Sequence, residues 1–451
     1  MLKLAQMEAK ALAALAVPIA ISQVSRVGMG VVDTIFAGHV SPNALAAVGL
    51  GSAVWFAVFF FVSGALLVAS PLVGARRAGG DQTLMARTVQ QICLNSVFWG
   101  VVSAFVLVAA AFALPTASMN PEVAQVTRDF ILVTAFGAPA CALFQGLKFS
   151  FDALGAPGRG MRIGLLGFLI NIPLNYLFVF GAFGLEGMGA IGCAWATVLV
   201  YWLMLFALIL SDRRQPLVPG LRLIGAPVGE DQRYLFGKGI PSGVTILLDA
   251  GFFSVIAWLA VSFGAVAVAA NQIATNFVSL LFVGQIALSM AISIRVSQGL
   301  TVEASARAAK VGIGLSILLS LAYTAVLLVF GHQIVAIYTA DAEVARIAFG
   351  LLSIALLFQF LDAIQVCVAG ALRGMHDTLV PMIIVGLAYW FVALPIATAL
   401  IFQDWLGRSS TIVDVWYGLA IGISVAAVLL GARFLVKTGN LGLASPTLST
   451  R

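Results

Sequence analysis

Twelve apolar runs, each about 20 residues long or longer, most constrain what this chain can fold into, because a helix of that length crosses the hydrocarbon core of a bilayer. Only 9% of the 451 residues are charged and 61% are hydrophobic. A soluble domain carries about 25% charged residues. We therefore predict an all-α polytopic membrane protein with twelve transmembrane helices. The predicted spans are residues 11–37, 44–73, 89–114, 124–153, 162–183, 188–210, 239–262, 266–293, 309–331, 344–372, 379–402 and 412–436.

The placement of lysine and arginine predicts the orientation of the spans, because cytoplasmic loops carry an excess of both residues. With the N-terminus in the cytoplasm, the outer segments contain only Arg128, Arg346 and Arg408, and the spans contain Arg26 and Lys148. Every other lysine and arginine then falls in a cytoplasmic segment. We predict a multi-pass protein of the bacterial inner membrane with both termini in the cytoplasm.

The longest polar stretch between spans divides them six and six. The triplet Leu-Phe-Gln at 143–145 recurs at 357–359, and Arg-Gly-Met at 159–161 recurs at 373–375. Two repeats with an even number of spans have the same orientation, so a pseudo-twofold axis along the membrane normal would relate them. We predict an N-terminal six-helix lobe over residues 1–210, a cytoplasmic linker over 211–238, a C-terminal six-helix lobe over 239–437 and a cytoplasmic tail over 438–451.

Nearly all of the 18 acidic residues lie in loops or at span ends, and three do not: Asp33 in span one, Asp249 in span seven and Asp362 in span ten. A charged side chain at the bilayer centre costs about 2.5–3.5 kcal/mol on insertion scales, so it normally faces the protein interior or a watery cavity. A buried carboxyl can avoid this cost by taking up a proton. A transporter coupled to protons or sodium needs a group that switches in this way. The alternative interpretation is a helix–helix hydrogen bond at each acid.

Asp249 and Asp362 have the same predicted depth. Each lies about ten or eleven residues, or about 15 Å, from the cytoplasmic end of its span. Two carboxylates at one depth in one lobe can share a proton or a cation, so this pair is a candidate cation site. Asp33 lies nearer the outer end of span one, in the other lobe.

Amide side chains inside the spans are further candidates. Asn171 and Asn175 in span five are four residues apart and therefore share one helical face. Pro173 between them favours a bend. These amides can hydrogen-bond a carboxylate or a ligand, and simple packing is the alternative. Candidate cavity-lining amides in span eight are Asn271, Gln272, Asn276 and Gln285.

The two basic residues within spans have different contexts. Lys148 and Asp152 are four residues apart near the cytoplasmic end of span four, which predicts an ion pair whose lysine snorkels toward the membrane surface. Arg26 precedes Asp33 by seven residues, about 10 Å along the same helical face. Arg26 is a candidate cavity-lining residue that either holds Asp33 ionised or reaches another acid.

These motifs resemble those of the multidrug and toxic compound extrusion (MATE) family, in particular its NorM-type subgroup. The sequence VDTIFAG at 32–38 is similar to the first-span signature of that family, 171–176 to its fifth-span segment and 358–374 to its tenth-span segment. The resemblance implies two six-helix lobes around a V-shaped central cavity. It also implies export of cationic, amphipathic drugs in exchange for protons or sodium by alternating access.

The resemblance also implies roles for individual residues. It assigns a proton and substrate site in the N-terminal lobe to Asp33, Asn171, Asn175 and Thr197, and a cation site in the C-terminal lobe to Asp249 and Asp362. The seventh-span acid of the subgroup is typically glutamate, whereas this chain has aspartate. Arg26 is unusual beside the first-span signature. Both departures leave the coupling ion open between H⁺ and Na⁺.

Other classes of function find less support in the sequence. The chain has no His-Glu-x-x-His pair and no G-x-x-x-x-G-K-[ST] loop, so we predict neither an enzyme nor an ATP-driven pump. Basic residues are spread between apolar runs, which argues against a nucleic-acid partner. We expect a monomer in the lipid bilayer without a cofactor. A lipid-linked precursor flippase of the same superfamily is the alternative, although such proteins usually have two more spans and several cavity arginines.

Overall fold

The computed structural model describes residues 2–115, 119–182, 184–218, 225–339, 341–402 and 411–441. Within those ranges, twelve helical segments are long and apolar enough to cross a membrane, which confirms the predicted spans. The helices are α1 (Leu2–Val40), α2 (Pro42–Leu66), α3 (Ala69–Gly79), α4 (Gln82–Phe112), α5 (Pro121–Ala153), α6 (Pro157–Phe180), α7 (Ala190–Arg214), α8 (Gly229–Ala260), α9 (Ala265–Ser297), α10 (Val302–Tyr338), α11 (Ala342–Gly374), α12 (Leu379–Gly386), α13 (Leu394–Phe402) and α14 (Ile412–Leu441). Parts of the predicted linker and tail, 219–224 and 442–451, lie outside the described residues.

Several helices are longer than the apolar runs that predicted them. Helix α10 covers Val302–Tyr338, whereas its apolar run covers 309–331. Polar residues at helix ends continue the backbone hydrogen bonding without adding hydrophobicity. Helix α4, for example, begins where Asp81 accepts hydrogen bonds from the backbone N–H groups of Thr83 and Leu84 at 2.9 and 3.0 Å, as helix caps do.

Two of the spans contain a break at a proline. Span two consists of α2 and α3 and is interrupted at Leu67 and Val68, where Pro71 has no N–H to donate to the carbonyl of Leu67. Span eleven consists of α12, a π-helical turn over Leu387–Ala393, and α13. Pro395 follows that turn and cannot donate to the carbonyl of Phe391. The irregular backbone in the middle of span eleven therefore has a local cause.

Large apolar side chains cover much of the outer surface. Phe105, Trp258 and Ile337 are 72%, 76% and 82% exposed. A soluble monomer rarely exposes apolar side chains on this scale. The helices therefore present their outer faces to lipid, as expected for a membrane-spanning protein.

The helices form two compact units. The first unit contains residues 17–247, and the second contains residues 1–16 and 248–451. The start of α8 belongs to the first unit because a Cβ added at Gly64 of α2 would lie only 2.8 Å from the Cα of Gly243, so glycine permits this close helix contact. The start of α1 belongs to the second unit, where Glu8 forms two hydrogen bonds of 2.7 and 2.9 Å with Arg295. The lobe boundaries given above remain predictions.

Candidate functional site

Asp33 on α1 is held by side chains from two other helices of the first unit. Its Oδ1 accepts a hydrogen bond from Nδ2 of Asn175 on α6 at 2.9 Å. Its Oδ2 accepts one from Oγ1 of Thr197 on α7 at 2.8 Å. Asp33 is 6% exposed. Hydrogen bonds to an ionised carboxylate are about twice as strong as neutral ones, so these three helices converge on one charge.

Asn171 joins this group through its neighbours on α6 and α7. Its Nδ2 donates to Oγ1 of Thr197 at 3.3 Å, and its backbone oxygen accepts from Nδ2 of Asn175 at 3.0 Å. Helix α6 stays helical through Pro173, so the four-residue spacing keeps both amides on one face. The structure brings together the four residues assigned to the site in the N-terminal lobe, and we call them the Asp33 cluster: Asp33, Asn171, Asn175 and Thr197.

Two amide oxygens in the Asp33 cluster have no hydrogen-bond donor among the described residues. They are Oδ1 of Asn171 and Oδ1 of Asn175, and both side chains are fully buried. A buried acceptor without a donor costs about 1–3 kcal/mol. A protonated Asp33 has a hydroxyl that can donate to such an oxygen. The cluster therefore contains the groups for two hydrogen-bond arrangements, one around a carboxylate and one around a carboxylic acid.

Asp249 on α8 and Asp362 on α11 interact electrostatically in the second unit. Asp362 is 9% exposed, and Asp249 is half-buried. Tyr389 also interacts with Asp249, and its hydroxyl accepts a hydrogen bond of 2.7 Å from Nε2 of Gln365. The structure thus brings the two predicted acids into one polar group, which we call the acid pair, together with a phenol and an amide.

The acid pair has further oxygen atoms beside it. Oε1 of Gln365 is buried and has no hydrogen-bond donor among the described residues. Carboxylate, amide and hydroxyl oxygens are the ligands that hard cations prefer. The described residues contain no cluster of three or more His, Cys, Asp or Glu side chains suited to a metal ion. A cation here would have two carboxylates and neutral oxygens as its ligands.

Gln365 and Tyr389 were missed by the sequence analysis. Gln365 follows Asp362 by three residues, so the helical spacing of neighbours on one face could have identified it. Tyr389 lies in the π-helical turn of span eleven and is fully buried. Such turns occur often at functional sites, but the only signal for this one in the sequence is the proline that follows it.

Arg26 on α1 forms no ion pair with any residue in the described ranges. Its guanidinium carbon lies 4.5 Å from the centre of the Phe59 ring. It also lines a small cavity with Gln145 and Tyr201. The structure therefore shows neither of the two roles suggested for Arg26, holding Asp33 ionised or reaching another acid.

The four amides of span eight have different environments. Gln285 is fully buried and donates to a serine hydroxyl on α10 at 3.1 Å. Asn271 is 2% exposed and accepts from an indole N–H on α14 at 3.0 Å. Gln272 and Asn276 are exposed and hydrogen-bond to each other at 3.1 Å. Of these four amides, only Gln272 and Asn276 therefore present polar side chains on an open face of α9.

The ion pair of Lys148 and Asp152 at the end of α5 is confirmed, but the prediction that the lysine snorkels outward is wrong, because the lysine is buried in the protein. Nζ and Oδ2 are 2.9 Å apart, and the two side chains are 3% and 1% exposed. The lysine stem packs on α6, where a Cβ added at Gly160 would lie 2.9 Å from the Cγ of Lys148. This contact buries the stem, so the pair lies inside the first unit.

Comparisons with known proteins agree with these features. The MatE family model matches residues 18–177 and 241–398, and the two matched stretches support the predicted repeat. The chain is 35% identical over 434 residues to the multidrug resistance protein PmpM of Pseudomonas aeruginosa, with 94% of this chain and 91% of PmpM covered. It is 34% identical over 434 residues to the multidrug resistance protein MdtK of Yersinia pseudotuberculosis, with 94% and 95% covered.

Solved structures show the same fold. The crystal structure of a MATE protein in complex with MaD5 superposes with a TM-score of 0.86 at 20% identity and covers 97% of each chain. That of the eukaryotic MATE transporter AtDTX14 has a TM-score of 0.84 at 20% identity and covers 97% of this chain and 98% of its own. These likenesses confirm the all-α fold with twelve membrane-spanning segments.

Proposed function

Because this chain belongs to the MatE family, we propose that it is a secondary active multidrug efflux antiporter. It exports cationic amphipathic compounds by alternating access in exchange for protons or sodium. The names of its relatives PmpM and MdtK as multidrug resistance proteins support transport of drugs. The chemistry proposed here consists of binding and ion exchange without any covalent step.

The arrangement of the Asp33 cluster is the main support for this proposal. A carboxylate inside an apolar unit attracts a cation, and the hydrogen bonds from Asn175 and Thr197 stabilise its ionised form. A proton arriving from outside removes the charge and turns the carboxyl into a donor for an amide oxygen. The attraction for a cationic drug is then lost, and α6 is free to shift. Protonation from outside thus promotes drug release to the outside, as an exporter requires.

The acid pair supplies a second place for the coupling ion. Two neighbouring carboxylates repel each other when both are ionised, so one proton or one monovalent cation between them is favourable. The hydroxyl of Tyr389 and the free oxygen of Gln365 are suitable additional ligands. Sodium would use these oxygens as ligands, whereas a proton needs only the two acids.

Transport in sealed vesicles tests the proposed function. We expect the purified protein to move the fluorescent cation rhodamine 123 against its concentration gradient when a proton gradient or a sodium gradient is the only energy source, because antiport needs no other driving force. Fluorescence of the dye reports its accumulation. Vesicles without protein and vesicles without a gradient are the controls. Absence of transport under both gradients would contradict an ion-coupled exporter.

The protein is proposed to be a monomer in the bacterial inner membrane, with both termini in the cytoplasm. All four native cysteines are buried, so single introduced cysteines can be labelled from one side with a membrane-impermeant reagent. We expect cytoplasmic labelling at Asp81, Glu230 and Arg451, and external labelling at Ser41, Glu186 and Asp341. Arg451 lies outside the described residues. One position labelled from the wrong side would contradict this topology.

A further inference from the structure

Arg26 is a charge without a counter-charge in an apolar environment. It lies in the first membrane-spanning helix and is half-buried. Charges in a span are normally paired or face a watery cavity, because burial of an isolated ion is costly. The four buried acids of this unit all have other partners. Asn175 and Thr197 donate to Asp33, while Lys148, Arg159 and Arg76 pair with Asp152, Asp212 and Asp231.

The guanidinium of Arg26 instead lines a cavity inside the first unit. One face of the group is stacked over Phe59 at 4.5 Å, and none of its N–H groups donates a hydrogen bond to a residue in the described ranges. A guanidinium has five such donors. The cavity has a volume of about 20 Å³. Its other walls include polar side chains and apolar ones: Ser22, Gln23, Gln145, Met29, Phe144 and Tyr201.

We propose that this cavity binds a small anionic group, so that the transporter accepts amphipathic substrates with a carboxylate as well as simple cations. The planar fork of a guanidinium matches a carboxylate with two parallel hydrogen bonds. A cavity of this size holds little more than one water-sized group. The charged end of a ligand enters, while its apolar part packs against aromatic and methionine side chains. The inference rests on the proposed function and narrows its substrate class.

The position of Asp33 strengthens this inference. Asp33 lies seven residues after Arg26 on α1, which is two helical turns or about 10 Å along one face. A positive site and a negative site at this separation suit the two ends of a zwitterion. The same chemistry is available to a free inorganic anion such as chloride, so the experiment must separate the two sources.

Two dyes that differ by one methyl ester provide the test. Rhodamine 110 has a free carboxylate, and rhodamine 123 is its methyl ester. Fluorescence polarisation of the purified full-length protein measures the affinity for each dye. We expect Arg26→Gln to weaken rhodamine 110 binding at least about tenfold and to change rhodamine 123 binding less than about threefold, as loss of one charge-assisted contact predicts. Arg26→Lys keeps the charge but loses the fork, so an intermediate effect on rhodamine 110 is expected.

Arg128→Gln is the matched control, because its guanidinium is stacked over Phe112 at 4.3 Å and the residue does not line this cavity. Both dyes should bind this variant as they bind the parent protein. Measuring binding in chloride and in gluconate distinguishes the two sources. If chloride changes dye binding only when Arg26 is present, and Arg26→Gln affects both dyes alike, the ligand of the cavity is a free anion and the proposal of a substrate carboxylate is overturned. The proposal is overturned if Arg26→Gln affects both dyes equally and chloride has no effect. Binding of rhodamine 123 by Arg26→Gln shows that this variant is folded. Transport of rhodamine 123 into vesicles by the parent protein tests the proposed function separately.

Discussion

Asp33→Asn is expected to insert into the membrane and fold, yet to lose drug efflux almost completely. The change removes the charge that attracts a cation and the group that exchanges a proton. Hydrogen bonds from Asn175 and Thr197 to a charged acceptor contribute about 1.5–3 kcal/mol each. A neutral amide cannot form and release them as the proton comes and goes, so we expect efflux to fall by roughly 100-fold. Efflux of rhodamine 123 from vesicles measures the rate, and fluorescence polarisation should show weaker binding of the dye.

Two variants make this result interpretable. Asp129→Asn removes a half-buried carboxylate of α5 that lies outside the Asp33 cluster, and it should leave efflux within about twofold of the parental rate, as expected of sites away from such features. Thr197→Val removes one hydrogen bond but keeps the charge, so its loss should be intermediate. Parental efflux by Asp33→Asn, with equal protein in the membrane, would leave Asp33 with a structural role and move the coupling to the acid pair.

The sequence predicted the spans because hydrophobicity reports burial in lipid directly. It also predicted most of the Asp33 cluster, since the four-residue spacing of Asn171 and Asn175 and the cost of a charge at Asp33 are both local properties. Thr197 was found only through the family resemblance, because one hydroxyl in an apolar helix has no distinguishing pattern. The hydrogen bonds that join these residues come from helices that are far apart in sequence.

The environment of the other polar residues could not be read from the sequence, for a physical reason. In a membrane protein, the lipid-facing side of a helix and its buried side are both apolar, so the hydrophobic pattern does not identify the inward face. Gln272 is exposed and Gln285 is buried, although both are amides of one helix. Lys148 was expected to snorkel outward, and the glycine that lets its stem pack inside lies on another helix. Tyr389 depends on a backbone irregularity that residue patterns rarely reveal.

The second large effect is expected for Asp362→Asn. This change should separate drug binding from ion coupling, because it removes one member of the acid pair and leaves the Asp33 cluster intact. One carboxylate alone holds a shared proton or cation more weakly, so gradient-driven efflux should fall at least about tenfold. Equilibrium binding of rhodamine 123 should stay within about threefold of the parental value, since the dye is held in the first unit. Vesicle transport and fluorescence polarisation measure the two quantities on the same preparation.

Asp341→Asn, at the N-cap of α11, is the control for loss of a charge near Asp362's helix. Asp341 caps α11 by accepting hydrogen bonds from two backbone N–H groups at 2.8 and 3.0 Å, and asparagine caps a helix about as well. This control should therefore couple normally. Tyr389→Phe removes only the hydroxyl beside Asp249 and should weaken coupling less than Asp362→Asn does. Undiminished gradient-driven efflux by Asp362→Asn would show that the coupling ion does not use the acid pair, and coupling would then depend on Asp33 alone.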